Sequence, residues 1–175
     1  GLAHLRSRVD RRLGGALGRA VARVAGSFGM EVEIANRPGG EAVAGRRNLD
    51  EILPRLDVLS LHCPLTDATR GLIDAARLAR MKPDAVLINT ARGALVDAKA
   101  LVEALRSGRL GGAGIDVLEP EPPPADHPLL DPAIPNLIVT PHIAWAARES
   151  RQRCLDELAL NVASFLAGGR RNRVD

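Results

Sequence analysis

Four side chains of this sequence could together move a hydride and a proton: Arg92, Asp116, Glu121 and His142. Arg92 leaves the apolar run AVLIN at residues 85–89, within Asn89-Thr90-Ala91-Arg92-Gly93. Asp116 ends a second run, and Glu121 follows five residues on in a proline-rich loop. His142 comes just past LIVT at 137–140. An arginine's planar fork grips a carboxylate through two parallel hydrogen bonds. An imidazole whose proton is held by a neighbouring anion can donate to a carbonyl oxygen near neutral pH. Hydride transfer to a 2-oxoacid needs that set: a cation for the carboxylate, a proton donor for the carbonyl, and an anion behind the donor. Each residue alone has a plainer explanation, as a solvated charge or a structural histidine. Their conjunction at successive strand ends carries the reading, because open α/β sheets keep their ligands there.

A hydride donor would need its own cradle. Gly14-Gly15-Ala16-Leu17-Gly18 precedes a long helical pattern. Glycines there let the backbone approach a pyrophosphate, and the helix N-terminus attracts its charge. Gly15 and Gly18 fit the second and third glycines of GxGxxG, but Leu13 occupies the first, and no strand precedes it. Glycines that merely begin a tightly packed helix would look the same. Asn36-Arg37 lie about twenty residues on, where an acidic residue would favour NAD. Asn36 has no charge to repel a 2′-phosphate and Arg37 could pair with one, so the pair leans towards NADP; a polar turn with a solvated arginine is the open alternative. His62-Cys63-Pro64 follows a strand and is expected to line the crevice mainly through its backbone. Nothing near Cys63 marks a base, which argues against a nucleophile. The histidines and cysteines show no metal-ligand spacing, and His4 and His127 are read as solvent-exposed. Trp145 could form a pocket wall or pack in the core.

These residues need elements to hold them. Leu17, Ala20, Val21, Val24, Ala25 and Phe28 recur with helical period, closed by Gly29. Glu31–Ala35 alternates like a short strand, ended by the turn residues 36–40. A short helix is expected over 48–56, a strand over 57–61, a helix from Asp74 through Arg80, and a strand over 85–89. Asp97 begins a helix with Ala98, Leu101, Val102 and Leu105 on its buried face. Strands follow at 111–117 and 137–140. The last helix carries Leu155, Leu158, Ala159, Val162, Ala163 and Leu166 on one stripe. Short apolar strands alternating with amphipathic helices predict an α/β fold with a parallel sheet covered on both faces. EPEPPP at 119–124 excludes a helix and stiffens its loop.

Composition closes off other classes. At 175 residues one domain is the default. The net charge of +3 comes with arginines scattered along the chain and only two lysines, Lys82 and Lys99. With no tyrosine and 2% aromatics there is no stacking platform, which argues against nucleic acid. No run approaches about 18 apolar residues, so no membrane span is expected, and the start lacks the apolar centre of a secretory signal. Cys63 and Cys154 form no disulfide framework, which points to a reducing, cytoplasmic setting.

Five runs in order, GALGRAVARVAGSFGMEV, DVLSLHCPLTDATRGLI, MKPDAVLINTARGALVD, GGAGIDVLEPEPP and NLIVTPHIAWAARESRQR, resemble the D-isomer-specific 2-hydroxyacid dehydrogenases, and among them the glycerate dehydrogenase (hydroxypyruvate reductase) type. The likeness covers about residues 14–175. It implies a Rossmann-like, doubly wound parallel sheet whose first strand is here degenerate or missing. It implies that Arg92 binds the substrate's carboxylate and carbonyl, that His142 is the general acid and base, and that Glu121 hydrogen-bonds His142. It implies that Asp116 and the Thr90-Ala91 backbone hold the nicotinamide end, that Ala16 and Leu17 lie against the pyrophosphate, and that Cys63-Pro64 lie against the dinucleotide. Glu121 stands where the related formate dehydrogenases carry glutamine, which favours a hydroxyacid.

The implied activity is hydride transfer between NAD or NADP and a small 2-oxoacid or 2-hydroxyacid, such as hydroxypyruvate/glycerate or glyoxylate/glycolate, in a homodimer. The sequence departs from the family at Leu13, at residues 9–12, and in lacking the N-terminal substrate-binding domain. Residues 1–13 are accordingly read as a degenerate segment, 14–145 as the dinucleotide-binding domain, and 146–175 as a C-terminal helix that would pack toward the absent lobe. These departures imply a fragment or a disrupted reading frame. They keep a second reading open, a dinucleotide-binding or subunit-association module without turnover.

Overall fold

The structure is a computed structural model that describes residues 15–36, 38 and 40–172. The segment 1–13, with Leu13, and the proposed phosphate partner Arg37 lie outside the described residues. The chain divides into two compact units at Pro141/His142.

The first unit is built on four parallel strands: β1 (Val58–Leu61), β2 (Val86–Asn89), β3 (Gly112–Ile115) and β4 (Leu137–Val139), side by side in chain order. Val58 pairs with Val86, Val86 with Gly112, and Ala113 with Leu137. Parallel strands need long crossovers, and helices supply part of each of the first two. α3 (Ala75–Leu78) joins β1 to β2, and α4 (Ala98–Arg106) joins β2 to β3. Each begins where a carboxylate can take the free amides of its first turn. Asp74 accepts from Arg77 N at 2.8 Å, and Asp97 accepts from Lys99 N and Ala100 N at 3.0 and 3.1 Å. The α4 face expected to be buried is buried, through Leu101, Val102 and Leu105, and it joins Leu59, Leu87 and Ile115 in one core. Gly111 lets the chain enter β3, since a Cβ there would stand 2.6 Å from Asp84 O.

Before β1, α1 (Ala16–Ser27) forms as its periodicity predicts, and Gly29 follows it at φ +78°. Its apolar stripe is nonetheless largely open, with Leu17 and Phe28 each 76% exposed, and the helix's one buried residue, Ala22, lies off that stripe. Glu31–Ala35 does not become a strand. Among the described residues only Ala35 pairs, in a single parallel bridge to Arg47, closed by Asn36 N to Arg47 O at 2.7 Å and Arg47 N to Ile34 O at 2.9 Å. Alternation marks a segment that could pair; the partner is nonlocal, and here the segment finds a turn in place of the sheet.

α2 (Leu49–Ile52) is tied to α3 by a two-pronged contact. Arg77 donates to both oxygens of Asp50, at 3.0 and 3.1 Å, and to Leu72 O at 2.9 Å. The Arg77 hydrogen bond holds the Asp50 carboxyl below its ordinary value of 3.8. A lowered carboxylate pKa contributes stability that is fully present above the unfolded value and is lost as pH falls through the folded one. The stability lost in Asp50→Asn should therefore be constant above about pH 5 and shrink progressively below about pH 4, measured by urea unfolding across pH.

The second unit contains α5 (Arg148–Leu166), which has no buried residue. Leu155, Leu158, Val162 and Leu166 are exposed along it. No helix among the described residues is long and apolar enough to cross a membrane.

Candidate functional site

Because the strands are parallel, all their C-terminal ends fall on one edge of the sheet, and the sequence spends its polar residues there. β2 ends on Asn89, which is fully buried. Its side chain builds the loop that follows: Nδ2 donates to Arg92 O at 2.8 Å and Oδ1 accepts from Ala91 N at 3.1 Å. Its own carbonyl accepts from Asp116 N at 2.9 Å. One asparagine thus sets the backbone on both sides of Arg92 and couples it to the end of β3. Arg92 is exposed, with Nη1 donating to Ala91 O at 2.6 Å, and Thr90 is exposed beside it.

Truncating Asn89 leaves a buried carbonyl and amide unmet, which typically costs about 1–3 kcal/mol. Asn89→Ala should lower stability by that order. Asn89→Asp, which keeps only the acceptor, should also lose the bond to Arg92 O. Urea unfolding followed by circular dichroism measures both.

Asp116 is 4% exposed just past β3, where the Thr140 hydroxyl donates to its Oδ1. Thr140 N in turn bonds Ile115 O at 3.0 Å. Sequence reasoning missed Asn89 and Thr140 as organisers of the site. The available signal was a polar residue at the end of each of two apolar runs. Glu121 accepts from Leu118 N at 3.0 Å through Oε1, which folds the acidic loop back on its own start. Gly93 makes this possible, because a Cβ there would lie 2.3 Å from Leu118 C.

After β1 come His62, Cys63 and Pro64. The buried Thr69 hydroxyl donates to Pro64 O at 2.8 Å and accepts from Thr66 N at 2.8 Å, holding this loop from behind. His62 shares a hydrogen bond with Ser60 Oγ at 2.9 Å, and burial holds its pKa below the usual imidazole value. Cys63 is half-buried against the core. A Cβ on Gly18 would sit 3.6 Å from His62 Cβ, so the first turn of α1 rests on the end of β1. Gly15 caps α1 in extended backbone, with open space where a side chain would stand, and no acidic residue occupies the first turn. Ala16 and Leu17 begin the helix in the open. That helix start can accept an anion. The Asn36 side chain accepts from Val43 N at 3.1 Å, within its own turn.

In the second unit, His142 adopts φ +53°, an uncommon conformation for a residue with a side chain. Its carbonyl accepts from Trp145 Nε1 at 2.7 Å, and Trp145 is 60% exposed, so it does not serve as core. The expectation of an exposed His127 is corrected. It is 6% exposed, and its Nδ1 accepts from Leu129 N to cap a 3₁₀ turn. No group of His, Cys, Asp or Glu among the described residues could hold a metal ion.

The family described as D-isomer specific 2-hydroxyacid dehydrogenase, NAD binding domain, matches residues 14–144. A glycerate dehydrogenase of Methylorubrum extorquens is 46% identical over 92% of this chain and 50% of its own length. The structure superposes on a D-lactate dehydrogenase with NAD+ from Lactobacillus jensenii with TM-score 0.81 and 34% identity, over 92% of this chain and 53% of that one. It also superposes on an NADPH-dependent glyoxylate/hydroxypyruvate reductase from Sinorhizobium meliloti, in complex with NADP and sulfate, with TM-score 0.71 and 33% identity, over 89% of this chain and 51% of that one. The chain spans about half the length of the curated relatives it matches.

Proposed function

The chain belongs to the D-isomer specific 2-hydroxyacid dehydrogenase family, in its NAD-binding domain, and on that premise we propose that it carries the cofactor half of an oxidoreductase acting on a small 2-oxoacid or 2-hydroxyacid. Hydroxypyruvate/glycerate and glyoxylate/glycolate are the substrate pairs proposed. The observation that carries the proposal is the shared sheet edge, where the Arg92 loop, Asp116 and the start of α1 over His62 stand at strand ends of one parallel sheet.

When bound, the nicotinamide dinucleotide supplies the hydride. The chain's own residues do the rest. The open amides after Gly15, with Ala16, Leu17 and Gly18, take the pyrophosphate. The half-buried Cys63 and the exposed Pro64 flank the dinucleotide, and Asn36 with Arg37 tolerate a 2′-phosphate, which leans the preference to NADP. Asp116, its carboxylate oriented by Thr140, and the Thr90-Ala91 backbone hold the carboxamide end. Arg92 grips the substrate carboxylate. His142 gives a proton to the carbonyl oxygen during reduction and removes it during oxidation, with Glu121 as the anion that supports it. The homodimer belongs to the same proposal.

The purified chain, given NADH or NADPH, is expected to reduce hydroxypyruvate or glyoxylate. Saturable dinucleotide binding with no turnover of either acid would favour the second reading, a binding or association module.

A further inference from the structure

We propose that a cleft beside the start of α4 is a second ligand site, built for a small apolar carboxylate. The cleft has a volume of about 310 Å³ and lies within the first unit, separate from the α1 and Cys63 side of the sheet. Its walls are mainly apolar, with Val96, Leu118 and Leu129 among them. Small-molecule pockets run from about 300 Å³ upward, so the occupant is small.

His127 makes this cleft more than a gap in packing. The residue is 6% exposed and lines the cleft. Nδ1 accepts from Leu129 N at 3.2 Å, which fixes the neutral ring's proton on Nε2. Nε2 has no hydrogen-bond partner among the described residues, and it is not sealed from solvent. A residue that is more than nine-tenths buried and lines the cleft therefore keeps one donor that no described group meets, where buried donors are ordinarily met. None of the proposed catalytic or cofactor-holding side chains uses it.

Charge at the mouth selects the ligand class. The Arg70 side chain is exposed there and makes no hydrogen bond among the described residues. Asp97 and Glu119 also line the mouth. Asp97 already accepts the first amides of α4, and Glu119 is exposed. Two carboxylates repel a doubly charged phosphate ester more strongly than they repel a monoanion. A single carboxylate can take the Nε2–H and the Arg70 guanidinium, with its apolar body against Leu118 and Leu129. Asn89 and Gly93 are walls as well, so an occupant would touch residues on both sides of Arg92.

Benzoate is a suitable probe, titrated calorimetrically against the whole chain and two variants. His127→Asn keeps an oxygen that can accept from Leu129 N and removes the Nε2 donor. Ala98→Leu fills the cleft from α4 and leaves His127 in place. The wild type should saturate, and both variants should bind at least tenfold more weakly while melting as folded proteins. Failure of the wild type to saturate, or wild-type affinity in either folded variant, overturns the proposal. If His127→Asn does not fold, Ala98→Leu decides alone.

Discussion

His142→Gln should slow hydroxypyruvate reduction by roughly 10²- to 10⁴-fold, the usual contribution of a positioned acid–base group. Glutamine can still hydrogen-bond a carbonyl oxygen, but it has no proton to release at neutral pH. The dinucleotide's dissociation constant should stay within about twofold, since the residues assigned to hold it are elsewhere on the chain. Initial rates of NAD(P)H oxidation, compared with fluorescence titration of the cofactor, separate the two quantities. A loss confined to the rate identifies an interaction made in the transition state. Undiminished turnover would remove His142 from the acid–base role.

Gly93→Ala should be the most damaging small substitution on the proposed site. The added Cβ would stand 2.3 Å from Leu118 C, 2.4 Å from Leu118 O and 2.7 Å from Glu119 N. These are backbone atoms, so no rotamer change relieves the clash, and the loops after β2 and β3 must separate. Overpacking typically costs about 1–3 kcal/mol, and the upper part of that range is expected here. The damage should also reach the proposed acid–base pair, because Leu118 N is the donor that holds Glu121. Gly114→Ala is the control. It adds the same methyl group in β3, where nothing lies within 4 Å, and should leave stability nearly unchanged. Urea unfolding of the two variants measures the contrast.

The sheet half of the fold could be read from the sequence because each of its strands is an apolar run between turn residues. A parallel sheet covered on both faces favours that pattern, though here one face is only partly covered: β1 and β2 alternate half-buried and buried residues, and Ile138 of β4 is 69% exposed. The helices α3 and α4 were legible for a local reason: Asp74 and Asp97 are caps whose partners lie within three residues. Glu31–Ala35 was misread because alternation is local and strand pairing is not. His127 was misread because a histidine among prolines in a polar loop gives no sign that its ring will turn inward to cap a 3₁₀ turn.

The positions proposed to touch ligand, Arg92, Asp116 and His142, stood out by residue type at strand ends. Their organisers did not, because the contribution of Asn89 and Thr140 lies in hydrogen bonds across loops and strands. Composition carries no record of such bonds.

This sheet edge is proposed to hold a nicotinamide dinucleotide through the start of α1. Titration of NADH and NADPH against the purified chain and against Gly15→Val tests it most directly. The wild type should bind both saturably, NADPH more tightly, and binding should weaken at least tenfold when a valine stands where the backbone must approach the pyrophosphate. Absence of saturable binding for both dinucleotides, or equal affinity in Gly15→Val, would contradict it.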